Sequence, residues 1–310
     1  MNVTLRQFRY FIAVVDCASV SAAARQLAIS QSAITTAVHE LEEALGVRLF
    51  ERSSRGVTLT PDGHRFLPNA RRVLAAVSDA THAVLAQPKE VTGRLSIGVT
   101  PLVAGYYLSE FVSRFARTCP GVEVQVAEDE PRFLEHLLIN GEVDCALMVS
   151  SALLDRQALT TEILTRSPYR VWLASGHPLA AQADVSLAEV AGCPQVVLAA
   201  DRLDELMRAV WQRYQLAPRT LLRTSSLEAV RSLVGTGMGV TVLPDFVYRP
   251  WSLEVERIEA RPLRDEIATL DIGLVWRRGL QIDPVTAEFI TVAREQSAAR
   301  ARRGAPAGAA

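Results

Sequence analysis

Small polar side chains cluster at the start of one segment near the N-terminus, and their types suit hydrogen bonding to a partner outside the chain. Ser30 precedes that segment, and its side-chain oxygen can accept a free backbone N–H at a helix start. Within the segment Ile34, Val38, Leu41 and Leu45 recur in steps of four, three and four. That spacing predicts an amphipathic helix with one buried stripe.

The opposite face of this predicted helix would face solvent. A Gln near a helix N-terminus can pair bidentately with adenine, and small polar neighbours allow the helix to enter the major groove of duplex DNA. We therefore expect this face, together with Ser30, to contact DNA. Its residues are Gln31, Ser32, Thr35, Thr36 and His39.

The flanking segments complete a DNA-reading arrangement. Upstream, Ser21 is predicted to cap a short helix over residues 22–27, where three consecutive alanines allow close helix packing. Downstream, two short predicted strands surround residues 53–56 and carry Arg52 and Arg55. This order predicts a helix-turn-helix followed by a wing, with Ser21 and the two arginines among the DNA contacts.

Residues 19–62, with LEEALGVRLFER and TLTPDG, resemble the N-terminal domain of LysR-type transcriptional regulators. Further matches follow in the family's order: GRLSIGV, GEVDCALM, SGHPLA and SLEAVRSLVGTGMGVTVLP. The sequence is therefore identified as a member of this family. The resemblance implies that the wing lies along the minor groove or backbone, with Arg52 and Arg55 on phosphates; a solvated turn is the alternative. Thr36 departs from the family, which often carries a basic residue there.

Bulk composition bounds the class of protein. The chain has 310 residues, 49% of them apolar, which suits two or three domains with sizeable cores. No apolar run approaches the ~20 residues that cross a bilayer, and the N-terminus lacks signal-peptide features. We expect a soluble, cytoplasmic protein without membrane contacts. The net charge is −1, and residues 1–60 carry six arginines against five acids. So weakly charged a domain implies few phosphate contacts per subunit and reliance on several domains binding DNA together.

Four regions are predicted along the chain. Residues 1–60 form the winged helix-turn-helix domain, residues 61–88 a linker helix, residues 91–295 a two-lobed regulatory domain, and residues 296–310 a disordered tail. Thr60-Pro61 is typical of a helix start. The linker carries apolar residues at heptad spacing, which favours pairing with a second copy, although the stripe could instead pack on its own domain. These residues are Phe66, Ala70, Val73, Val77, Ala80 and Val84.

Beyond residue 90, short apolar runs alternate with helical segments, as in an α/β protein with parallel strands and helical crossovers. Two such sets are separated in sequence, and the apolar run over residues 267–275 is predicted to return to the first set. Two α/β lobes result. The family resemblance implies a periplasmic-binding-protein-like (type 2) effector domain in which a small molecule binds between the lobes.

Ligands of such sheets bind near the carboxyl ends of strands. Thr100 and Pro101 follow the first strand and start a helix, so the hydroxyl and nearby N–H groups can form an anion-friendly corner. In the family, effectors bind between such helix ends. The resemblance carries that role to Thr100 and to Ser150.

From the second lobe, Thr224 or Ser225 is a plausible lining residue, although Ser225 and Glu228 could simply form a capping box. Glu128 belongs to an acidic loop that would repel an anionic effector unless a cation such as Arg202 offsets it. A cationic, amino or hydroxylated effector is the alternative. The effector class stays open.

Other classes of function find little support. The four cysteines are scattered, which disfavours a metal site or disulfide, although a peroxide switch at Cys193 is conceivable. The sequence shows no nucleophile elbow, phosphate loop or close histidine pair, so we expect neither an enzyme nor a cofactor. A solute-binding module would leave the first 90 residues unexplained. The expected partners are double-stranded DNA, a small-molecule effector, further copies of the chain as a homodimer or tetramer, and RNA polymerase if the protein is an activator.

Overall fold

The computed structural model describes residues 3–17, 19–53, 56–85, 90–279 and 281–304. Two compact units divide the chain. Unit 1 comprises residues 1–87 with 299–310, and unit 2 comprises residues 88–298.

Unit 1 is a winged helix-turn-helix followed by a long helix. Its core lies where the first three helices meet, and Phe11, Ala23, Ile34 and Leu41 are fully buried there. The two strands pair antiparallel, with Phe50 opposite Leu59. In chain order the elements are α1 Leu5–Cys17, α2 Val20–Leu27, α3 Gln31–Leu45, β1 Phe50–Ser53, β2 Gly56–Leu59 and α4 Pro61–Leu85.

The helix starts in unit 1 show how local hydrogen bonds determine the residue at which each helix begins. Ser30 caps α3 as predicted, accepting the Ala33 N–H at 3.2 Å. The predicted cap of α2 by Ser21 is wrong, because α2 begins at Val20 and Ser19 accepts the Ala22 N–H at 3.3 Å. Ser19 is extended, with φ −157° and ψ 129°, whereas Ser21 already lies in the first helical turn.

A carboxylate on α3 fixes the entry to the wing. Glu42 Oε1 accepts the N–H of Leu49 at 2.6 Å and that of Phe50 at 3.1 Å. The Thr60 hydroxyl donates to the Arg48 carbonyl at 2.6 Å and accepts the Gly63 N–H at 3.0 Å. Thr60 therefore caps α4, which begins at Pro61 as predicted.

Unit 2 alternates strands and helices, and its described residues form sheets of five, three and two strands. In chain order its elements are β3 Thr92–Val99, α5 Pro101–Val103, a π-helical turn Ala104–Leu108, α6 Ser109–Thr118, β4 Gly121–Glu128, α7 Pro131–Asn140, β5 Cys145–Val149, β6 Leu159–Ser167, β7 Tyr169–Ala174, α8 Leu187–Ala191, β8 Gln195–Leu198, α9 Leu203–Arg213, β9 Thr220–Thr224, α10 Leu227–Gly235, β10 Thr241–Pro244, β11 Ile258–Pro262, β12 Leu270–Arg277 and α11 Pro284–Gly304.

The first lobe is built on a five-stranded sheet of order β4-β3-β5-β12-β6. In the second lobe β8 and β9 are parallel, while β7 pairs antiparallel with β10 and β11. A parallel bridge between Gln195 and Val240 joins β8 to β10. The carboxyl ends of β3, β4 and β5 therefore meet at one edge of the first lobe, and those of β8 and β9 meet in the second.

The predicted parallel pairing is found for β3, β4 and β5 and for β8 and β9, whereas the remaining strand pairs are antiparallel. Strand β12 returns to the first lobe as predicted but runs antiparallel to β5 and β6. Strands β6 and β11 had no counterpart in the prediction. Both lie at the outer edge of their sheets, where alternating polar side chains leave no continuous apolar run.

One helical segment runs from Pro101 to Thr118 and contains the π-helical turn. Downstream of the turn Phe111 and Phe115 are buried in the first lobe. Within the π-helical turn, the rings of Tyr106 and Tyr107 both contact Phe246 of the second lobe. Their centroids lie 5.6 and 5.5 Å, respectively, from the centroid of the Phe246 ring. A π turn contains one residue more than an α turn, which lets two consecutive rings reach one partner.

The disordered tail predicted from residue 296 is not what the structure shows up to residue 304, because α11 continues to Gly304. Gln296 is buried and exchanges hydrogen bonds with Arg114 and Glu110, and Ser297 donates to the Leu164 carbonyl. These contacts anchor the helix beyond the predicted boundary. None of the helices in the described part of the chain is long and apolar enough to span a membrane.

Candidate functional site

The face of α3 opposite the core is exposed along its first half. Gln31, Ser32, Thr35, Thr36 and His39 all lie on the surface, as predicted, while Ile34 and Leu41 are fully buried. Two of the hydroxyls are engaged locally. Thr35 donates to the Gln31 carbonyl at 2.9 Å, and the Ser30 and Ser32 oxygens lie 3.0 Å apart.

His39 lies near an acid rather than standing alone. Its Nε2 is 3.5 Å from Glu43 Oε1, with the two side chains 63% and 67% exposed. A shallow recess between α1 and α3 adds Arg6 and Tyr10, which the sequence analysis missed, to Ser30, Ser32 and Thr36. Arg6 is exposed, so it extends the α3 surface with a cation.

The wing residues are only partly defined. Arg52 lies in β1 opposite Val57, and Arg55 is outside the described residues. Ser21 is exposed on α2. The structure thus brings Gln31, Ser32, Thr35 and Thr36 onto one surface, while the contacts of the two predicted arginines remain a prediction.

The second group of candidates gathers at strand ends in unit 2. Thr100 and Ser150 follow the neighbouring parallel strands β3 and β5, and Glu128 ends β4 opposite Val99. On the second lobe the Ala199 N–H donates to the Thr224 carbonyl at 2.8 Å, which places the end of β8 beside the end of β9. Pro101 is exposed and begins the α5 helix.

Thr100 is fully buried, and its hydroxyl donates to the Asp201 carboxylate of the second lobe. The Leu102 N–H also donates to Asp201, at 3.4 Å. Burial raises the pKa of Asp201, with a smaller contribution from Glu128, and these hydrogen bonds oppose the shift. The corner predicted to be anion-friendly therefore already contains a carboxyl group, which the sequence analysis did not anticipate.

Arg202 adjoins Asp201 and also reaches the first lobe. Its Nη1 donates to the Ala152 carbonyl, and its Nε and Nη2 donate to Glu205 at 3.0 and 2.6 Å. The φ angles of Asp201 and Arg202 are 48° and 59°, so both occupy the left-handed region. Two consecutive non-glycine residues in that region are uncommon, and such backbone persists only where its surroundings hold it.

Two more of the predicted lining hydroxyls, after Thr100, have structural partners. Ser150 is buried and donates to the Asp271 carbonyl at 3.2 Å, and Thr224 accepts the Ser226 N–H at 3.1 Å. The predicted capping box of Ser225 and Glu228 is wrong. Ser226 caps α10 instead, accepting the Ala229 N–H at 3.2 Å, because Ser226 is the last extended residue before the helix. Ser225 is exposed.

A second interlobe contact surrounds the π-helical turn. The Tyr106 hydroxyl donates to the Val247 carbonyl at 3.4 Å, and buried Arg231 donates to the same two oxygens. Arg231 also pairs with Glu228. These contacts join the lobes around Tyr106, in addition to the interlobe bonds of Thr100 and Arg202.

A separate cavity of about 240 Å³ lies in the second lobe between α9 and β8–β9. Met207, Trp211 and Leu216 form part of its apolar wall. Asp204 is buried at its edge and pairs with Arg208 and Arg223. Within the described ranges no group of three His, Cys, Asp or Glu residues is arranged to hold a metal ion.

An N-terminal segment and a longer C-terminal segment of the chain each match a family model. Residues 5–64 match "Bacterial regulatory helix-turn-helix protein, lysR family", and residues 88–298 match "LysR substrate binding domain". The chain belongs to the LysR family. As a LysR-type protein, it is a transcriptional regulator with a helix-turn-helix DNA-binding domain and an effector-binding domain, and not an enzyme.

Known LysR proteins resemble it over nearly its full length. It is 30% identical over 296 residues to the "Uncharacterized HTH-type transcriptional regulator YnfL" of Escherichia coli, covering 93% of this chain and 97% of that one. It is 29% identical to the "Hydrogen peroxide-inducible genes activator" of Pectobacterium carotovorum, covering 89% and 90%. Among solved structures, HinK from Pseudomonas aeruginosa has 30% identity and a TM-score of 0.63, covering 96% and 99%.

Proposed function

We propose that this LysR regulator reads operator DNA in the major groove with the first turns of α3, while the wing contacts the phosphate backbone. The observation that carries the proposal is the division of α3 into a buried face and an exposed face of small hydrogen-bonding residues. The proposed contacts are Ser21, Ser30, Gln31, Ser32, Thr35, Thr36, His39, Arg52 and Arg55.

Gln31 is the residue on which specificity should depend most. It is the first residue of α3, it is exposed, and its amide can pair bidentately with adenine. Ser30 has a structural duty as well, because its oxygen already accepts the Ala33 N–H. Arg52 should contribute mainly affinity, since phosphate contacts carry no sequence information directly.

Fluorescence anisotropy with the protein's own promoter fragment and a scrambled duplex, over a range of salt concentrations, tests this proposal. Replacing Gln31 with Ala should cost about 1–3 kcal/mol of discrimination between the two duplexes. Arg52→Ala should weaken binding to both duplexes and reduce the salt slope by about one. Gln157→Ala, which changes an exposed Gln in unit 2, is the matched control. Unchanged binding by the Gln31, Arg52 double variant would refute the DNA-reading surface.

We further propose that a small-molecule effector binds where the strand ends of the two lobes meet, and that its binding changes the balance between two arrangements of the lobes. The candidate residues are Thr100, Pro101, Glu128, Ser150, Arg202, Thr224 and Ser225. Support comes from the position of Thr100 and Ser150 at adjacent strand ends, facing the Asp201 and Arg202 segment.

A thermal-shift screen of metabolites against the full-length chain tests the effector site. A ligand at a hundred times its dissociation constant adds ~2.7 kcal/mol of stability. The shift should be absent from Thr100→Val and retained by Thr160→Val, a half-buried threonine on β6. A ligand that stabilises both variants as well as the unaltered protein would place its site elsewhere.

The regulator is proposed to act in the cytoplasm as a homodimer that pairs further into a tetramer, and to contact RNA polymerase if it is an activator. Helix α4 supports the pairing. Phe66 packs on Phe8 and Phe11 within unit 1, whereas Val73 and Val77, two and three steps further along the same stripe, are 37% and 38% exposed. Sedimentation of Val73→Glu with Val77→Glu should show loss of the dimer.

Peroxide sensing is a second candidate because several relatives are named hydrogen peroxide-inducible genes activators. The cysteines argue against it here. Burial raises the pKa of the thiols of Cys17, Cys145 and Cys193, which lowers the fraction of reactive thiolate at neutral pH. Mass spectrometry after treatment with peroxide should show no sulfenic acid or disulfide under conditions that leave DNA binding intact.

A further inference from the structure

The corner at Thr100 contains the elements of an anion site. Thr100 ends its strand run in an extended conformation, and the helical segment that starts at Pro101 continues to Thr118. The Thr100 hydroxyl and the Leu102 N–H converge on one carboxyl group, and both are donors. A group that only accepts hydrogen bonds, such as a carboxylate, satisfies both of them.

The group found at that point belongs to the chain itself. Asp201 is 5% exposed, lies 101 residues away in sequence, and comes from the opposite lobe. Its neighbour Arg202 bonds the Ala152 carbonyl, just past the end of β5. Adjacent residues of the second lobe thus bond the ends of two adjacent strands of the first. We call Asp201 and Arg202 together the clasp.

The backbone of the clasp has an uncommon conformation that its side-chain contacts stabilise. Both residues have positive φ, and the side-chain bonds to Thr100, Ala152 and Glu205 anchor them in that conformation. Uncommon backbone at a ligand clamp persists when the surroundings over-determine it. If the carboxylate left the corner, the two residues could return to ordinary backbone angles.

We propose that Asp201 is an internal ligand whose carboxylate occupies the anion corner at Thr100 and, with Arg202, holds the second lobe against the first. An anion from solution reaches the corner only by displacing Asp201. A free carboxylate or sulfate must compete with the Asp201 carboxylate, which has a high effective concentration at the corner because the chain tethers it there. The clasp therefore determines which class of ligand the unaltered site accepts. This inference concerns the same cleft as the proposed effector site and depends on that proposal for its relevance to regulation.

Inorganic sulfate is the probe for the test, measured by calorimetric titration of the full-length protein at constant ionic strength. The unaltered protein should bind sulfate only weakly, and that binding should not depend on Thr100. Asp201→Gly, which tolerates the positive φ and empties the corner, should bind sulfate at least tenfold more tightly. The double variant with Thr100→Val should lose that gain. Sulfate held by Arg208 and Arg223 at the separate cavity would be insensitive to Thr100→Val.

Asp201→Asn keeps the proposal testable if the glycine variant does not fold. Its neutral amide fills the same space but competes less well, so sulfate should bind at least threefold more tightly than to the unaltered protein. Two results would overturn the internal ligand: sulfate binding by the unaltered protein that Thr100→Val abolishes, or folded Asp201 variants with no gain. Either result would leave effector gating standing, and a failed metabolite screen would leave the sulfate result unaffected.

Discussion

Two helix starts in this regulator carry the same sequence signature and serve opposite purposes. At α3 the hydroxyl residue Ser30 caps its own helix, and the polar residues beyond it face solvent. At α5 the hydroxyl residue Thr100 makes no side-chain cap on its own helix and donates instead to Asp201, a carboxyl from the other lobe. One helix start is open to an external polyanion, and the other already holds an internal acid.

Burial explains the difference. A solvent-exposed helix start can satisfy its remaining N–H groups with water, whereas a buried one must find protein partners. Thr100 is fully buried, so the chain itself supplies an acceptor. A hydroxyl before a helix therefore indicates a helix start, but burial decides whether that start remains available to a ligand.

The largest effect expected from this contrast is at the buried start. Thr100→Val keeps the shape of the side chain and removes the hydroxyl donor to a carboxyl, which should destabilise unit 2 by about 2 kcal/mol. Urea denaturation followed by the fluorescence of the tryptophans, all four of which lie in unit 2, would measure the change. A loss below about 0.5 kcal/mol would mean that the bond to Asp201 is weak.

The exposed caps should matter less. Ser30→Ala should cost about 1 kcal/mol, the usual value for an N-cap serine. Ser226→Ala should cost about the same, since Ser226 caps α10 in unit 2 by the same local bond. Hydrogen exchange at the Ala33 and Ala229 amides would report each loss. If Ser226→Ala lowered the free energy of unfolding as much as Thr100→Val, the difference from Ser30→Ala would depend on the unit that contains the helix and not on burial of the helix start.

The smallest effect concerns the pH dependence of stability, whose sign should differ between buried Asp201 and half-buried Glu189. Hydrogen bonds from Ser186 lower the pKa of Glu189 to about 2, so its contribution to stability is present above its ordinary pKa and fades as the pH falls towards about 2. Burial raises the pKa of Asp201, so its contribution is present below 3.8 and is lost as the pH rises through the folded value.

Urea denaturation at a series of pH values, with Glu189→Gln and Asp201→Asn as the reference variants, would test these signs. As the pH falls below 4.5, the free energy of unfolding of the unaltered protein should lose its advantage over that of Glu189→Gln. As the pH rises from 3.8, it should lose stability relative to Asp201→Asn. If both stability differences changed with pH in the same direction, the opposite pKa shifts of Glu189 and Asp201 would be contradicted.

Local signals predicted much of this fold. The caps at Ser30 and Thr60 depend on neighbours three residues away, and both follow from sequence. The predictions for Ser21 and Ser225 failed by one or two positions because the caps are nearby serines, Ser19 and Ser226. Which serine caps depends on where the chain leaves its extended conformation, and that is decided by packing of the preceding segment.

The long-range contacts could not be predicted from the sequence. Asp201 meets Thr100 across 101 residues and between lobes, and no periodicity indicates such a pairing. Arg202 was proposed as a cation that offsets the acidic loop, yet its guanidinium is bonded to Glu205 and the Ala152 carbonyl. The positions of Thr100 and Ser150 at strand ends were predictable, whereas the identity of the group opposite them was not.

The π-helical turn at Ala104–Leu108 holds one residue more than an α turn does. Losing one residue there, such as Gly105, would convert the turn to regular α-helix and leave the helix on either side close to its present orientation. Phe111 and Phe115 would therefore stay buried in the first lobe, while the two tyrosine rings that contact Phe246 would change their spacing. A single codon deletion would thus alter the ring contact between the lobes without moving the residues that pack on the first sheet.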